Sequence, residues 1–253
     1  PRDTAKKIKD LKPAFLSSYP SHMLVLMRLF SKQEAQSLGL KLISLGSELS
    51  TKSQRIELSE HFNCPVLDEY SSEELGWIAY ECPNYKYHLW EDISYIEETG
   101  NDGEIVGTNL HNMAMPFIRY KQGDLATLAP DEKCECGRTG RILKLLRGRK
   151  NDSFIFDKKI LHPAFLLDTI YSLLLSGSDI ISDFCLIQES SQLVIMQIVP
   201  GKFFNEREIA NIQKKLGQFI PATIRVELVK STELHKTTSG KRNPIISRVN
   251  GSN

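Results

Sequence analysis

The sequence predicts a mixed fold: an α/β unit and an antiparallel, barrel-like sheet, followed by a small α+β sandwich. Three observations predict it. Residues 41–68 read as strand, loop, helix and strand, one α/β unit with parallel pairing. From 76 to 146, short apolar runs alternate with turn signals, the texture of an antiparallel sheet. Beyond 153 a helix is followed by strand, strand, helix and strand, the order of a two-layer sandwich.

Taken in order, segment 1–63 reads mostly helical with one strand. Ser31 caps a short helix at 32–38, and Glu34 three residues on completes a capping box. Residues 41–45 read as a strand, Gly46-Ser47-Glu48 as the tight loop after it, 51–62 as an amphipathic helix and 65–68 as a short buried strand. Runs at 77–80, 87–89, 93–96, 104–108, 117–120, 126–128 and 142–146 follow, separated by turns such as Gly100-Asn101-Asp102-Gly103 and Pro130-Asp131. Residues 148–152 are short and polar and read as a hinge, so the expected domains are 1–147 and 153–253.

In the second domain His162-Pro163 opens a helix. Phe165, Leu166, Thr169, Ile170, Leu173 and Leu174 form its apolar face, and Gly177 ends it. Strands follow at 183–189 and 193–199. Asn205 caps a second helix with Glu208 as its capping-box partner, and Gly217 stops it. Residues 223–229 read as the last strand, and a polar, basic tail runs from Leu234.

Composition narrows the function classes. The chain has 253 residues, 41% hydrophobic and 25% charged, with room for one large domain or two modest ones. Its 32 basic and 31 acidic residues leave a net charge of +1, which gives no support to a nucleic-acid or polybasic membrane surface. No apolar run approaches the roughly 18–20 residues of a membrane helix. The five cysteines, an odd count in a long chain, point to a reducing compartment, so a cytoplasmic location is expected.

Four stretches carry chemistry together: Asp68-Glu69-Tyr70-Ser71-Ser72-Glu73-Glu74-Leu75-Gly76, Pro116-Phe117-Ile118-Arg119-Tyr120-Lys121-Gln122-Gly123-Asp124, Gly148-Arg149-Lys150-Asn151-Asp152 and Thr237-Thr238-Ser239-Gly240-Lys241-Arg242. Each alone is weak, and the four in this order are far more specific. With them the sequence resembles the adenylate-forming, acyl-CoA synthetase-like enzymes. Glu81-Cys82, His88-Leu89-Trp90-Glu91-Asp92, Met115-Pro116-Phe117-Ile118-Arg119-Tyr120 and Cys134-Glu135-Cys136-Gly137-Arg138 resemble the phenylacetate–CoA ligase and capsule-biosynthesis ligase branch.

The resemblance implies an enzyme that binds ATP, Mg²⁺ and a carboxylic acid, makes an acyl-adenylate and passes the acyl group to a thiol, usually coenzyme A. It implies that Asp124 holds the ribose hydroxyls, that Tyr70 stacks on adenine, and that Gly46, Ser47 and Glu48 lie along the base. Glu74 is the Mg²⁺-linked glutamate, where hard oxygen suits the ion. Arg149 reaches ribose or phosphate through its guanidinium fork. Lys241 stabilises the charge that builds as carboxylate and α-phosphate join, and the small domain rotates to withdraw it afterwards. Glu73 stands where relatives have Thr or Ser, and Asn151 where they have Asp; Ser71 lies beside the acid pocket, and Ser72 is the hydroxyl left to meet phosphate.

Cys82, His88, Cys134 and Cys136 form a second constellation. Read from spacing, the two short pairs either build a closed, structural Cys₃His zinc site or are four unpaired residues in the sheet. Cys64 and Cys185 read as core. The Ser/Thr/Gly-rich phosphate loop of the family finds no match before Tyr70, so the expectation is the C-terminal part of a longer enzyme, either inactive as it stands or needing the missing N-terminal segment in trans. Homodimerisation is a habit of the branch. Alternatives are a degenerate adenylate-binding or interaction module, or adenylation with transfer to a carrier protein or sugar amine.

Overall fold

Two capping boxes set the helical punctuation of the first half. Ser31 accepts from the Glu34 backbone N–H at 3.2 Å while the Glu34 carboxylate accepts from the Ser31 N–H at 2.8 Å. Thr51 and Gln54 exchange the equivalent bonds at 3.1 and 2.9 Å. The computed structural model describes residues 2–129, 132–157, 159–175, 178–234 and 241–249. The chain divides into two units, residues 1–146 and 147–253.

The first unit begins α1 (Arg2–Leu11), β1 (Phe15–Ser18), α2 (Pro20–Leu29), α3 (Lys32–Ser37), β2 (Leu42–Gly46), α4 (Lys52–Phe62) and β3 (Val66–Ser72). Strands β1, β2 and β3 are parallel, with Phe15 opposite Leu42 and Ile43 opposite Val66. Met23, Leu26, Phe30, Ile43, Leu45, Leu58 and Phe62 form the core between these helices and strands. β1 was not expected from sequence: four residues are too few to show a period.

The antiparallel part adds β4 (Gly76–Glu81), β5 (Tyr87–Leu89), β6 (Ser94–Thr99), β7 (Glu104–Asn109), β8 (Tyr120–Ala129) and β9 (Ile142–Arg149). The sheet order is β1-β2-β3-β4-β5-β9-β8-β7-β6, nine strands in one open sheet. This corrects the barrel-like expectation. Because β3 turns directly into antiparallel β4, the later strands extend the α/β sheet; no pairing closes it into a barrel, although it curls enough for Tyr70 of β3 to reach Asp124 of β8. The runs at 117–120 and 126–128 are also not two strands: β8 begins at Tyr120 and continues through Gly123. Gly107 is demanded by packing, since a Cβ there would stand 2.2 Å from Leu75 Cδ1.

The α4 face turned inward carries Gln54 and Arg55 beside Leu58 and Phe62, so the helix is not amphipathic in the simple sense expected. Gln54 is held by its cap, and Arg55 donates to Glu81 and Ser50 while its buried Nε finds no partner.

The second unit takes in a single 3₁₀ turn (Lys150–Asp152), the hairpin β10 (Phe154–Phe156) and β11 (Lys159–Leu161), α5 (Pro163–Ile170), β12 (Ile181–Ser190), β13 (Leu193–Pro200), α6 (Arg207–Leu216), β14 (Arg225–Lys230) and β15 (Ile245–Ser247). Its four-stranded sheet runs β14-β13-β12-β15. Three expectations are corrected. A π-helical turn at Tyr171–Leu175 follows α5 and rotates the buried face to Tyr171, Leu174 and Leu175, leaving Phe165 49% exposed. Asn205 and Glu208 form no capping box; Asn205 accepts from the Arg207 N–H at 3.0 Å, and the Glu208 carboxylate accepts from Asn211. The tail contains β15, which joins β12 in parallel, so the strand at 223–229 is not the last. The segment 148–152 is strand through Arg149 and a helical turn after it, beside the boundary between the two units. The turn at Pro130-Asp131, the helix stop at Gly177 and Thr237-Thr238-Ser239-Gly240 lie outside the described residues. No described helix is long and apolar enough to cross a membrane.

Candidate active site and candidate metal centre

The carboxyl ends of parallel strands leave backbone groups without ladder partners, and crevices there hold ligands. Here the end of β2 carries Gly46, Ser47 and Glu48. Ser47 has φ +65°, which turns the chain sharply out of the strand. The Glu48 carboxylate accepts from the Ser21 N–H at 3.1 Å and so caps the start of α2. A cleft of about 330 Å³ opens at this edge, lined by Ser17, His22, Gly46, Ser47 and Glu69 among others.

One strand over, β3 bears Tyr70, Ser71 and Ser72, with a bulge between Tyr70 and Ser71 that re-aims the side chains beyond it. The Tyr70 hydroxyl donates to Asp124 Oδ2 at 2.6 Å, joining residues 54 apart in sequence. Gln122 Nε2 donates to the same oxygen at 3.0 Å and to the Tyr70 hydroxyl. Glu74 lies half-buried in the turn after β3, where its Oε1 accepts from the Tyr120 hydroxyl at 3.2 Å. The Ser72 hydroxyl accepts from the Leu75 N–H at 3.1 Å, and Ser71 donates to the Glu69 carboxylate at 3.3 Å. Glu73 is exposed. The structure thus brings Tyr70 and Asp124 into contact and holds Glu74 through Tyr120. Gln122 carries no role in the sequence; it reaches Asp124 because the strand is irregular at Gly123, where the β7–β8 register shifts, and no local pattern signals that.

In the second unit Arg149 ends β9 with its side chain exposed. Lys241 is half-buried, and the residues after it are anchored. Arg242 is ion-paired with Asp183, and Asn243 Nδ2 donates to Asp152 Oδ2 at 3.0 Å. Asn151 shares the 3₁₀ turn with Asp152.

Behind β3 lies a buried charge cluster that the sequence did not disclose. Arg55 donates to Glu81 at 2.8 Å and lies 3.8 Å from Asp68, and Tyr87 donates to Asp68. Burial, only partly offset by Arg55, pushes the Asp68 carboxyl up to about 6 and that of Glu81 up to about 7.

Next along β4 comes Cys82, and with it the second constellation. The ligand atoms of Cys82, His88, Cys134 and Cys136 all lie within 4.8 Å of one another. Cys82 Sγ and Cys134 Sγ are 3.6 Å apart, and Cys136 Sγ is 3.3 Å from His88 Nε2. A tetrahedral zinc with bonds of about 2.3 Å to sulfur sets its sulfurs about 3.8 Å apart, so the four residues fit that ion. The Arg138 backbone N–H holds the Cys136 thiol down to about 7, burial keeps the His88 imidazole neutral, and burial pushes the Cys82 thiol up. Three thiols and one imidazole, three of the four buried and none in a disulfide, make a closed donor set of the structural type. Cys64 and Cys185 are buried in the core, and burial raises both thiols to about 11.

No family model matches the chain. A phenylacetate-coenzyme A ligase of Thermus thermophilus is 31% identical over 172 residues, 62% of this chain and 38% of the relative. One of Escherichia coli K12 is 30% identical over 183 residues, 66% of this chain and 41% of the relative. One of Aromatoleum evansii is 25% identical over 268 residues, 95% of this chain and 59% of the relative. Among solved structures, a 2-hydroxyisobutyryl-CoA ligase in complex with R3-HIB-AMP superposes with a TM-score of 0.78 at 21% identity, covering 97% of this chain and 56% of that one. An anthranilate CoA ligase in complex with anthranoyl-AMP superposes with a TM-score of 0.71 at 14% identity, covering 95% and 49%. These likenesses show that the chain shares the fold of adenylate-forming ligases. In sequence it is a distant homologue of phenylacetate–coenzyme A ligases, matching their C-terminal part and spanning 38%, 41% and 59% of the length of these three relatives.

Proposed function

We propose that this chain contributes the nucleotide site and the second, smaller unit of an ATP-dependent carboxylate–CoA ligase of the phenylacetate–CoA ligase type. The observation that carries the reading is the Tyr70–Asp124 hydrogen bond, which sets an aromatic ring beside an acceptor-only carboxylate. A carboxylate with its acceptor sites on one face suits the two hydroxyls of a ribose, and the tyrosine ring suits a base. Gly46, Ser47 and Glu48 complete the adenine wall in this reading, Glu74 meets Mg²⁺, Arg149 meets ribose or phosphate, and Lys241 stabilises charge in the adenylation step. The thioester is then formed with coenzyme A. In the Cys₃His cluster zinc would be held by all four side chains and would supply rigidity rather than catalysis.

The test is acid-dependent ATP–pyrophosphate exchange with a panel of aryl and aliphatic acids, on this chain and on the longest product of its reading frame. Exchange in either product supports the reading. Absence from both, with AMP binding retained, favours a non-catalytic adenylate-binding module instead. Exposed Glu73, which puts a carboxylate where a hydroxyl would meet phosphate, is the observation on that side.

A further inference from the structure

Gln122 and Asp124 flank Gly123, which has φ +82°, where the β7–β8 register shifts, and their side chains meet there. Gln122 Nε2 donates to Asp124 Oδ2 at 3.0 Å and also to the Tyr70 hydroxyl, which itself donates to Asp124 Oδ2 at 2.6 Å. The three side chains close a ring of hydrogen bonds. A carboxylate is acceptor-only, so the amide orientation is dictated: reversing it would set Oε1 against Asp124, acceptor against acceptor. The other end of the amide is left over. Gln122 Oε1 is buried and takes no hydrogen bond. A glutamine serving only the packing of the sheet would be expected to satisfy both ends of its amide. Here one end is sacrificed while the other holds two side chains of the nucleotide site.

We propose that Gln122 is a positioning residue: its amide donors hold the Asp124 carboxylate and the Tyr70 hydroxyl in the arrangement that receives the two hydroxyls of a ribose. The inference rests on the nucleotide reading above and adds to it the residue that orders the site before the ligand arrives. Such ordering strengthens binding only for ligands that use the carboxylate. It therefore acts on discrimination between ribose and its deoxy analogues, not on base binding.

The experiment is calorimetric titration of the chain with AMP and with 2′,3′-dideoxy-AMP, in wild type, Gln122→Met and Gln122→Glu. Met keeps bulk without donors; Glu keeps shape but presents a second carboxylate. Wild type is expected to prefer AMP by about tenfold or more, the scale of a hydrogen bond to a charged group. In both variants the preference falls to within about threefold, while affinity for the dideoxy nucleotide stays within about twofold of wild type. Equal weakening of both nucleotides, or a preference kept in both variants, overturns the positioning role alone. A wild-type chain that binds neither nucleotide, or does not distinguish them, overturns the nucleotide reading and the inference with it.

Discussion

The Tyr70 hydroxyl lies 2.6 Å from Asp124 Oδ2, so a residue at the end of a parallel strand and one in an antiparallel strand meet across the sheet. Neither strand's own sequence calls for that contact. It exists because the sheet curls: β4, β5 and β9 separate β3 from β8 in the strand order, yet the Tyr70 and Asp124 side chains meet. Tyr70→Phe removes the donor to a charged acceptor and keeps the ring. AMP affinity is expected to fall by about tenfold, and Asp124→Ala to lower it by about a hundredfold. Titration calorimetry reads both; unchanged affinity in Asp124→Ala would remove the ribose role.

Lys241→Ala is expected to lower acid-dependent pyrophosphate exchange by about a hundredfold or more in a product that shows exchange, with AMP affinity nearly unchanged. Loss of a group that stabilises only developing charge has this signature. Exchange at the wild-type rate in the variant would refute the role. A parallel loss of AMP binding would move Lys241 from the chemical step to ground-state binding.

The thiol cluster makes a compositional prediction. Protein purified without chelator should carry about one zinc per chain, and Cys134→Ser should carry little. Chelation should lower the unfolding midpoint of the wild type but not that of the variant, since metal binding to a closed site is folding free energy. Less than about a tenth of an equivalent in the wild type would rule the site out.

Arg55 faces two buried carboxyls raised to about 6 and about 7, and its removal should be strongly pH-dependent. A carboxyl whose folded pKa lies above its unfolded value makes the folded state bind more protons, so stability falls as pH rises from about 4 towards 7. Without Arg55 the folded pKa values climb further and the decline steepens. Arg55→Met is therefore expected to destabilise by about 3–5 kcal/mol at pH 8 and by clearly less at pH 5, where both carboxyls are protonated. Denaturant unfolding at the two pH values measures the difference; an equal loss at both would mean that the carboxyls are not the cause.

Gly107 faces Leu75 so closely that a Cβ would stand 2.2 Å from its Cδ1. Gly107→Ala should destabilise by about 1–3 kcal/mol through overpacking, read as a lowered urea midpoint with unchanged slope. Leu75→Ala in the same chain should restore part of that loss. Additive losses in the double variant would show that the two residues do not compete for space.

Local signals were legible where the physics is local. Ser31 with Glu34 and Thr51 with Gln54 satisfy backbone donors a few residues away, so their helices could be placed from the residues alone. The same rule misplaced the start of α6, where Asn205 engages the Arg207 N–H and Glu208 turns to Asn211. Strands β1 and β15, with four and three residues, are too short to carry a period; their partners in the sheets select them.

By itself the sequence determined the α/β beginning, the antiparallel continuation and the second unit's mixed character. It also supplied the residue types of the candidate nucleotide and metal sites. Those follow from spacing, capping and residue chemistry, all written within a few positions. Only the tertiary structure decided that the antiparallel strands extend one open sheet, that Gln122 closes a ring with Tyr70 and Asp124, and that Arg55 neutralises Glu81 beside Asp68. It also gathered the ligand atoms of three cysteines and one histidine to within 4.8 Å. The reason is physical: each of these brings together segments far apart in sequence, and strand order and register, which local patterns do not specify, decide which segments meet.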